Sequence, residues 1–357
     1  MTQRAIQIYR TRGFTLLELL LVVVILASVA WMLTSTVDDN ISQVRYEDTR
    51  NRLDAIRTAV LGPNSPATWE RGIQSGYVVD NGVLPVNIDA LVALPTDYDE
   101  YGAVEPIYDQ GGANEYDFSG ATSSVNYQLF KGHRQGYLPA SSSGYFRDGW
   151  GTDRSEDGAD LTDCPSATTF SLAADLGNDI DSENHGWCVS RVDSGISRDG
   201  WYVDSYGMDG GMGELTGHDY ETDMLMGQPI LNTDWQIDIS GASVRIENMT
   251  GDMSFSSNHN FSAALLVYTN DDSGDGPTWE TVPSSSVSLG ALANGADFVV
   301  NFPASTRIPV GEHLLILLAD DDAELNSITE WTAEDLVAKR VKFFSRGGVP
   351  ELVLEIR

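Results

Sequence analysis

The most constraining feature of this chain is an uninterrupted apolar segment near its N-terminus. The segment runs for 24 residues, from Phe14 to Val37, and its single charged residue is Glu18. About 20 apolar residues are enough for a helix to cross a bilayer. Residues 1–13 hold three arginines and no acidic residue, and by the positive-inside rule such a flank stays in the cytoplasm. The sequence therefore predicts a membrane helix, with everything after Val37 outside the inner membrane.

The junction between the basic leader and the apolar segment does not fit an ordinary secretory signal. Such a signal has a shorter apolar region, followed by a small-x-small cleavage site, whereas here Gly13 stands directly before the apolar segment. A plain membrane anchor fits badly too, because a lone carboxylate in an apolar helix costs a few kcal/mol in lipid. Glu18 therefore indicates that this helix does more than anchor the chain.

The residues from Gly13 to Glu18, GFTLLE, resemble the processing site of type IV pilins and of type II secretion pseudopilins. The resemblance implies that a prepilin peptidase cuts between Gly13 and Phe14 and methylates the new amine of Phe14. It also implies that Glu18 pairs with the N-terminal amine of a neighbouring subunit during assembly. A charge pair buried in this way determines orientation and register, whatever its net energy.

The helix is predicted to continue beyond the apolar segment. Apolar residues recur at helical spacing from the last residue of that segment, Val37, at Ile41, Val44, Leu53, Ile56 and Val60. No Gly or Pro interrupts residues 14–61, and Gly62-Pro63 ends the pattern. We therefore expect one unbroken helix over 14–61, about 72 Å long at roughly 1.5 Å per residue. Its upper half would anchor and polymerise, and its lower apolar stripe would pack on a globular head.

Residues 62–231 are predicted to form a pilin-like head built on an antiparallel sheet. The runs 76–79 and 127–130 are typical of strands. Three further segments resemble motifs of major pseudopilins and occur in the family's order. They are NGVLP at 81–85 with a following Leu91, DGWG at 148–151, and YVDSYGMDG at 202–210.

An insert, residues 152–200, separates the last two of these motifs and contains both cysteines of the chain, Cys164 and Cys188. A loop of this length needs internal structure or a covalent staple. Two cysteines in an exported chain predict one disulfide, Cys164–Cys188, which would stabilise the fold by about 3 kcal/mol through the unfolded state. Two free thiols are the alternative.

A glycine-rich segment follows the last motif, and in major pseudopilins the corresponding loop wraps a calcium ion. The resemblance implies Asp209 and Asp219 as ligands, with a spacing one residue shorter than usual, and Glu214 and Asp223 as further carboxylates. Calcium takes roughly six to eight oxygen ligands, and a glycine-rich loop can turn its carbonyls inward to supply them. A solvated acidic loop is the alternative. A second acidic turn, 270–276, is predicted to be a hairpin turn rather than a calcium site.

From residue 232 onward the sequence changes to short alternating and β-branched runs between turn residues. The runs are 235–239, 242–246, 261–268, 286–289, 297–302, 313–318, 338–344 and 352–356. Their number and spacing predict an immunoglobulin-like β-sandwich over 232–357. The expected fold class is therefore α+β: a long transmembrane and assembly helix packed on an antiparallel-sheet head, followed by an all-β domain. Ordinary pilins lack such a domain, and adhesion, armour and lateral bundling all remain open as its role.

The charge balance and the missing catalytic motifs narrow the functional classes. The formal net charge of −32, from 53 acidic against 21 basic residues, disfavours nucleic acid as a partner. No nucleophile elbow, Walker loop or zinc-protease motif is present, so no enzyme is predicted. The sequence predicts a structural subunit, made as an inner-membrane precursor and assembled by inner-membrane machinery into a homo-oligomeric filament on the cell surface. The alternative is a low-abundance pilin or secretion pseudopilin whose head and C-terminal domain bind a surface or ligand.

Overall fold

The computed structural model describes most of the predicted helix, head and C-terminal strands. The described residues are 16–63, 74–104, 107–109, 115–117, 129–140, 144–151, 184–192, 200–208, 224, 227–249, 259–269, 276–285, 287–289, 295–321, 338–345 and 348–356. The predicted cleavage site, most of the insert and the predicted calcium ligands lie outside these ranges.

Helix α1 spans Leu16–Leu61 without interruption, which confirms the predicted continuity. Its 46 residues make a rod of about 69 Å. The helix stops where Gly62 adopts a positive φ of 78°, a conformation that glycine tolerates. The lower apolar stripe, Leu53, Ile56 and Val60, is buried as predicted.

The predicted membrane span is not confirmed. In the part of the chain that the structure describes, no helix combines the length and the apolarity needed to cross a membrane.

The first globular region combines two short helices with small antiparallel sheets. The helices are α2 (Tyr77–Asn81) and α3 (Asp89–Val92), and the strands are β1 (Gly102–Val104), β2 (Ile107–Asp109), β3 (Glu115–Asp117), β4 (Leu129–Lys131), β5 (Cys188–Val192), β6 (Gly200–Asp204) and β7 (Ile230–Leu231). Strand β1 pairs with β4, β2 pairs with β3, and β5, β6 and β7 form a three-stranded sheet in that order. Residues 188–192 of the predicted insert form strand β5, so this part of the insert has internal structure.

The predicted strand at 76–79 is wrong, because these residues enter helix α2. A strand would place Tyr77 and Val79 on one face and Val78 on the other. Instead Tyr77 and Val78 both pack into the core beside α1, while Val79 contacts a different core. Gly82 closes the helix in the left-handed conformation, with φ 71°, as glycine does at helix ends. The predicted strand at 127–130 is confirmed for Leu129 and Phe130, and its first two residues lie outside the described ranges.

One apolar core, here called the first core, joins α1 to this region. It includes Leu53, Ile56, Val60, Tyr77, Val78, Leu91, Trp187, Val189, Trp201, Val203, Ile230 and Trp235. Because α1 supplies its inner face to this core, the helix and the region beyond it form one packed body.

The C-terminal part is rich in strands, as predicted. After a short helix, α4 (Asn232–Trp235), come β8 (Gln236–Asp238), β9 (Ser243–Asn248), β10 (His259–Thr269), β11 (Thr278–Pro283), β12 (Val287–Leu289), β13 (Asp297–Asn301), β14 (Arg307–Pro309), β15 (Gly311–Asp321), β16 (Ala338–Phe343) and β17 (Leu352–Ile356). Every predicted run contains a strand. The strands β11 and β14 were not predicted, and each carries a proline that weakens its sequence signal. Strands β10 and β11 form the hairpin expected around 270–276.

These strands form three sheets around a second core. The largest has the order β11-β10-β15-β16, and β12 also pairs with β10. A second sheet has the order β13-β9-β17, in which β17 runs parallel to β9, and β14 pairs with β8. The second core takes buried side chains from all three sheets, including Ile237, Ile246, Phe261, Leu265, Val300, Leu315, Phe343 and Leu354. The α+β class is confirmed, whereas the immunoglobulin-like topology is not.

The two cores are in direct contact through glycines that admit no side chain. A Cβ on Gly82 would lie 1.7 Å from the carbonyl oxygen of Tyr268 on β10, and a Cβ on Gly276 would lie 1.7 Å from that of Asp97. Thr269 adds a hydrogen bond of 3.1 Å from its Oγ1 to the Gly82 carbonyl. The loops of the first region therefore touch the backbone of the β10–β11 hairpin directly.

Candidate functional site

The N-terminal part of α1 exposes a long apolar surface. Thirteen large apolar side chains between Leu16 and Met32 are 46–82% exposed. Burying one such side chain stabilises an assembly by about 1.5–3 kcal/mol, and contiguous apolar patches of this kind mark interaction or membrane surfaces. Glu18 lies in the first described turn of this segment. Helix α1 therefore carries one carboxylate, Glu18, within an apolar surface. No other part of the described chain covers this surface.

The processing residues Gly13 and Phe14 lie outside the described residues, just before the start of α1. Their cleavage therefore stays a prediction, as does the pairing of Glu18 with a neighbour's amine. What the structure adds is the unbroken helical path from residue 16 to the first core.

Two of the three pseudopilin-like motifs meet in the interior. Ser205 Oγ donates a hydrogen bond of 2.7 Å to Asp148 Oδ2, and both side chains are buried. Asp148 Oδ1 accepts a second bond of 3.1 Å from the Trp150 backbone N–H, and Ser205 Oγ accepts one of 3.3 Å from the Gly207 N–H. The DGWG turn and the segment after β6 are thus joined by one buried polar network.

The same turn is seated on α1. The Gly149 N–H donates to Thr49 Oγ1 at 2.9 Å, and a Cβ on Gly149 would lie 2.3 Å from the Arg45 carbonyl oxygen. Arg52 Nη1 reaches the Arg147 carbonyl at 2.6 Å. Only glycine fits at position 149, because the turn lies directly against the helix backbone. The motif therefore fixes the head onto α1.

The predicted calcium ligands Asp209, Glu214, Asp219 and Asp223 all lie outside the described residues. The two ends of their segment are described, however. Ser205 and Met224 exchange two backbone hydrogen bonds, Ser205 N to Met224 O at 2.9 Å and Met224 N to Ser205 O at 2.8 Å. The segment between them is therefore closed at its base. Among the residues that the structure does describe, no group of three or more potential metal ligands occurs.

Cys188 begins β5, opposite Asp204 of β6, and is buried. Its predicted partner, Cys164, lies outside the described residues. The disulfide therefore stays a prediction. Burial of Cys188 beside the first core places one end of the proposed staple in the body of the head.

A buried polar junction between the two cores was not predicted from the sequence. Lys131, at the end of β4, is almost fully buried, and its Nζ donates to the Val79 carbonyl of α2 at 2.9 Å. Burial lowers the pKa of Lys131 to about 8, while the nearby carboxylates of Asp80 and Glu312 oppose the shift. Lys131 Nζ also lies close to Gly311, the first residue of β15. A Cβ atom added to Gly311 would be only 3.1 Å from this nitrogen. This lysine therefore joins β4, α2 and β15.

Asp80 belongs to the same junction. It pairs with Arg134 Nε at 2.8 Å and accepts a hydrogen bond of 3.0 Å from the Tyr137 hydroxyl. Burial raises the pKa of the Asp80 carboxyl, although the Arg134 charge and these hydrogen bonds act in the opposite direction. These bonds satisfy a buried carboxylate and join α2 to the segment that follows β4.

His313 of β15 is a further buried titratable group beside Lys131. Its Nε2 lies 2.8 Å from the Pro309 carbonyl, so Nε2 carries the proton and donates it. Burial lowers the pKa of His313 to about 3, and the charge of Lys131 adds to the shift. The imidazole is therefore neutral at physiological pH.

The comparison with known families identifies the N-terminal segment. Residues 8–34 match the prokaryotic N-terminal methylation motif. This motif is the processing signal of type IV pilins and pseudopilins, so the chain carries the signal that the GFTLLE resemblance implied. No curated protein and no solved structure matches the chain.

Proposed function

We propose that this protein is a structural subunit of a type IV pilus-like filament, made as a membrane-anchored precursor and assembled through its N-terminal helix. The observation that carries the proposal is the methylation motif at 8–34, which continues into an unbroken helix with an exposed apolar surface. The apolar surface supplies the contact energy of a helical bundle, and Glu18 supplies its register. The motif points to a structural protein rather than an enzyme.

The partners and the location follow from this proposal. Prepilin peptidase cuts after Gly13, inner-membrane machinery extracts the mature subunit, and copies of the chain form a filament on the cell surface. The head, seated on α1 through Gly149 and Thr49, would lie outside the bundle. The strands around the second core would lie outside it too, because they pack on the head.

Two subsidiary sites belong to the proposal. The segment from Asp209 to Asp223 would hold one calcium ion, and the backbone pairing of Ser205 with Met224 brings the chain on either side of this segment together. Cys164 and Cys188 would form a disulfide that closes the insert. Both sites would stabilise the head.

The decisive experiment is mass spectrometry of the mature protein. We expect a chain that begins at Phe14 with a methylated amine. A Gly13→Val variant should retain Met1, whereas Arg4→Lys, which keeps the basic charge of the leader, should be processed normally. A mature chain that starts elsewhere in the wild-type protein would refute the proposal.

Copy number separates this function from its alternative. A major subunit dominates the protein content of sheared filaments, whereas a low-abundance pilin or pseudopilin that binds a surface or ligand does not. Quantifying the chain in sheared filaments therefore distinguishes the two.

A further inference from the structure

The lower half of α1 presents one side to solvent, and this side continues the face that carries Glu18. Asp54 follows Glu18 by 36 residues, which is ten turns of helix at roughly 3.6 residues per turn. Because α1 is unbroken between these positions, the two carboxylates lie on the same face of the helix. The face that would meet a neighbouring copy at Glu18 is therefore also the face that bears Asp54.

This face is opposite the one that packs on the head. Leu53, Ile56 and Val60 are buried in the first core, and they lie on the other side of the helix from Asp54. The solvent-exposed residues recur with helical spacing, and we call them the outer face of α1: Gln43, Glu47, Arg50, Asp54 and Thr58. The outer face is accessible to a second helix that approaches from the side of Glu18.

Two opposite charges of the outer face are unpaired within the described chain. Arg50 and Asp54 are both exposed, and neither side chain makes an ion pair or a hydrogen bond with another described residue. Asp48 and Arg52 have the same spacing of four and do pair, at 2.9 Å. An acidic residue that precedes its basic partner by four is the better order in a helix, and Arg50–Asp54 has the reverse order.

The predicted pairing at Glu18 sets the displacement between two neighbouring helices. The amine belongs to residue 14 of the neighbour and the carboxylate to residue 18, so the neighbouring copy is displaced by four residues, or about 6 Å along a continuous helix. The same displacement brings Arg50 of the neighbour level with Asp54. The charge pair at the start of the helix would thus recur ten turns later, on the same face and in the same register.

We propose that Arg50 of one copy binds Asp54 of the next copy in the filament, as a second register contact between parallel assembly helices. The inference rests on the proposed filament function and adds a contact outside the apolar segment. Each copy offers Arg50 to one neighbour and Asp54 to the other, so the contact is heterologous and propagates along a filament. The competing role is an ion pair within one helix, which predicts no contact between copies.

Charge reversal and exchange test the contact. Arg50→Asp and Asp54→Arg each replace an attraction with a repulsion, and because an exposed pair changes an equilibrium by up to roughly fivefold, the yield of sheared filaments per processed subunit should fall at least about twofold. The double variant Arg50→Asp, Asp54→Arg restores opposite charges between copies and should recover the wild-type yield. Arg307→Asp and Asp297→Arg are the matched controls, because they make the same changes of net charge at exposed residues of β14 and β13.

Cysteines give a geometric readout of the same register. Copies with Arg50→Cys and copies with Asp54→Cys, assembled together and oxidised, should yield disulfide-linked dimers. Either variant alone should yield far fewer, since identical positions stay about 6 Å apart along the axis and a disulfide needs Cβ atoms about 4 Å apart. Single reversals that match their controls, a double variant that is not rescued, or a mixture without additional dimers would overturn the contact, while wild-type filaments would leave the filament function intact. Absence of the chain from sheared filaments would overturn both.

Discussion

Ser205 Oγ and Asp148 Oδ2 are joined by a hydrogen bond of 2.7 Å in the interior of the head. The two residues are 57 positions apart, and the insert with both cysteines lies between them. One buried carboxylate thus holds together the turn before the insert and the segment after β6. The same turn rests on α1 through Gly149, so the network links both flanks of the insert to this helix.

Removing the Asp148 carboxylate should destabilise the head. Asp148→Ala leaves the Ser205 hydroxyl and the Trp150 N–H without their buried acceptor, at a cost of about 1–3 kcal/mol. Urea unfolding of the purified protein measures the loss, and Asp297→Ala, at an exposed aspartate, serves as the control. A double-mutant cycle with Ser205→Ala should give a coupling of at least about 0.5 kcal/mol. Strict additivity would show that the two side chains do not depend on each other.

Glu18→Ala should stop assembly without stopping processing. The substitution leaves the neighbour's amine buried without its carboxylate, and breaking a buried pair costs about 3–5 kcal/mol. Membrane insertion should persist, because alanine inserts more easily than glutamate. Electron microscopy of sheared cells and a membrane-fraction blot measure the two outcomes. Glu47→Ala, at an exposed glutamate on the same helix, should assemble normally. Normal filaments built from Glu18→Ala alone would refute the role of this carboxylate.

The predicted disulfide has a signature in mutant energetics. If Cys164 and Cys188 are bonded, either serine substitution should lower stability by about 3 kcal/mol. The double substitution should then cost no more than either single one, because the bond is lost once. Peptide mapping without reductant should recover the linked pair. Two alkylatable thiols in freshly isolated protein would contradict the prediction.

The predicted calcium site should appear as a chelator-sensitive melting temperature. A ligand that binds only the folded state stabilises it by mass action, so removal of calcium should lower the melting temperature of the wild-type protein. Asp219→Ala and Asp209→Ala should melt at that lower temperature with or without chelator. Asp54→Ala, at an exposed aspartate of α1, should keep the wild-type response. A wild-type curve unchanged by excess chelator would count against the site.

The buried histidine predicts a loss of stability in acid. The pKa of His313 is about 3 in the folded protein and about 6.5 when unfolded, so the unfolded chain binds the extra proton between these values. Stability should therefore fall as the pH decreases from 6.5 towards 3, by up to about 1.4 kcal/mol per pH unit from this group. In His313→Gln, whose amide can still donate to the Pro309 carbonyl, this part of the slope should disappear. Urea unfolding at pH 4–7 measures both slopes, which should coincide near pH 7.

Sequence reasoning succeeded where a pattern has a local cause. The continuity and end of α1 follow from the absence of Gly and Pro before Gly62. The hairpin turn after β10 follows from the acidic, glycine-containing run at 270–276. Sequence reasoning failed at Tyr77–Val79, because three consecutive apolar residues there serve two different cores. The burial of Lys131 could not be predicted from the sequence either. Nothing in the neighbouring sequence shows that α2 and β15 will close over this side chain.

The paired glycines at the contact between the cores have an evolutionary consequence. Gly82 accommodates the backbone of Tyr268, and Gly276 accommodates the backbone of Asp97, so each region carries a glycine that the other one requires. The C-terminal strands therefore cannot be replaced by an unrelated domain without changes in the head. Recombination that joined this head to an unrelated β domain would have to recreate both close approaches at once, so the two regions are constrained to be inherited together.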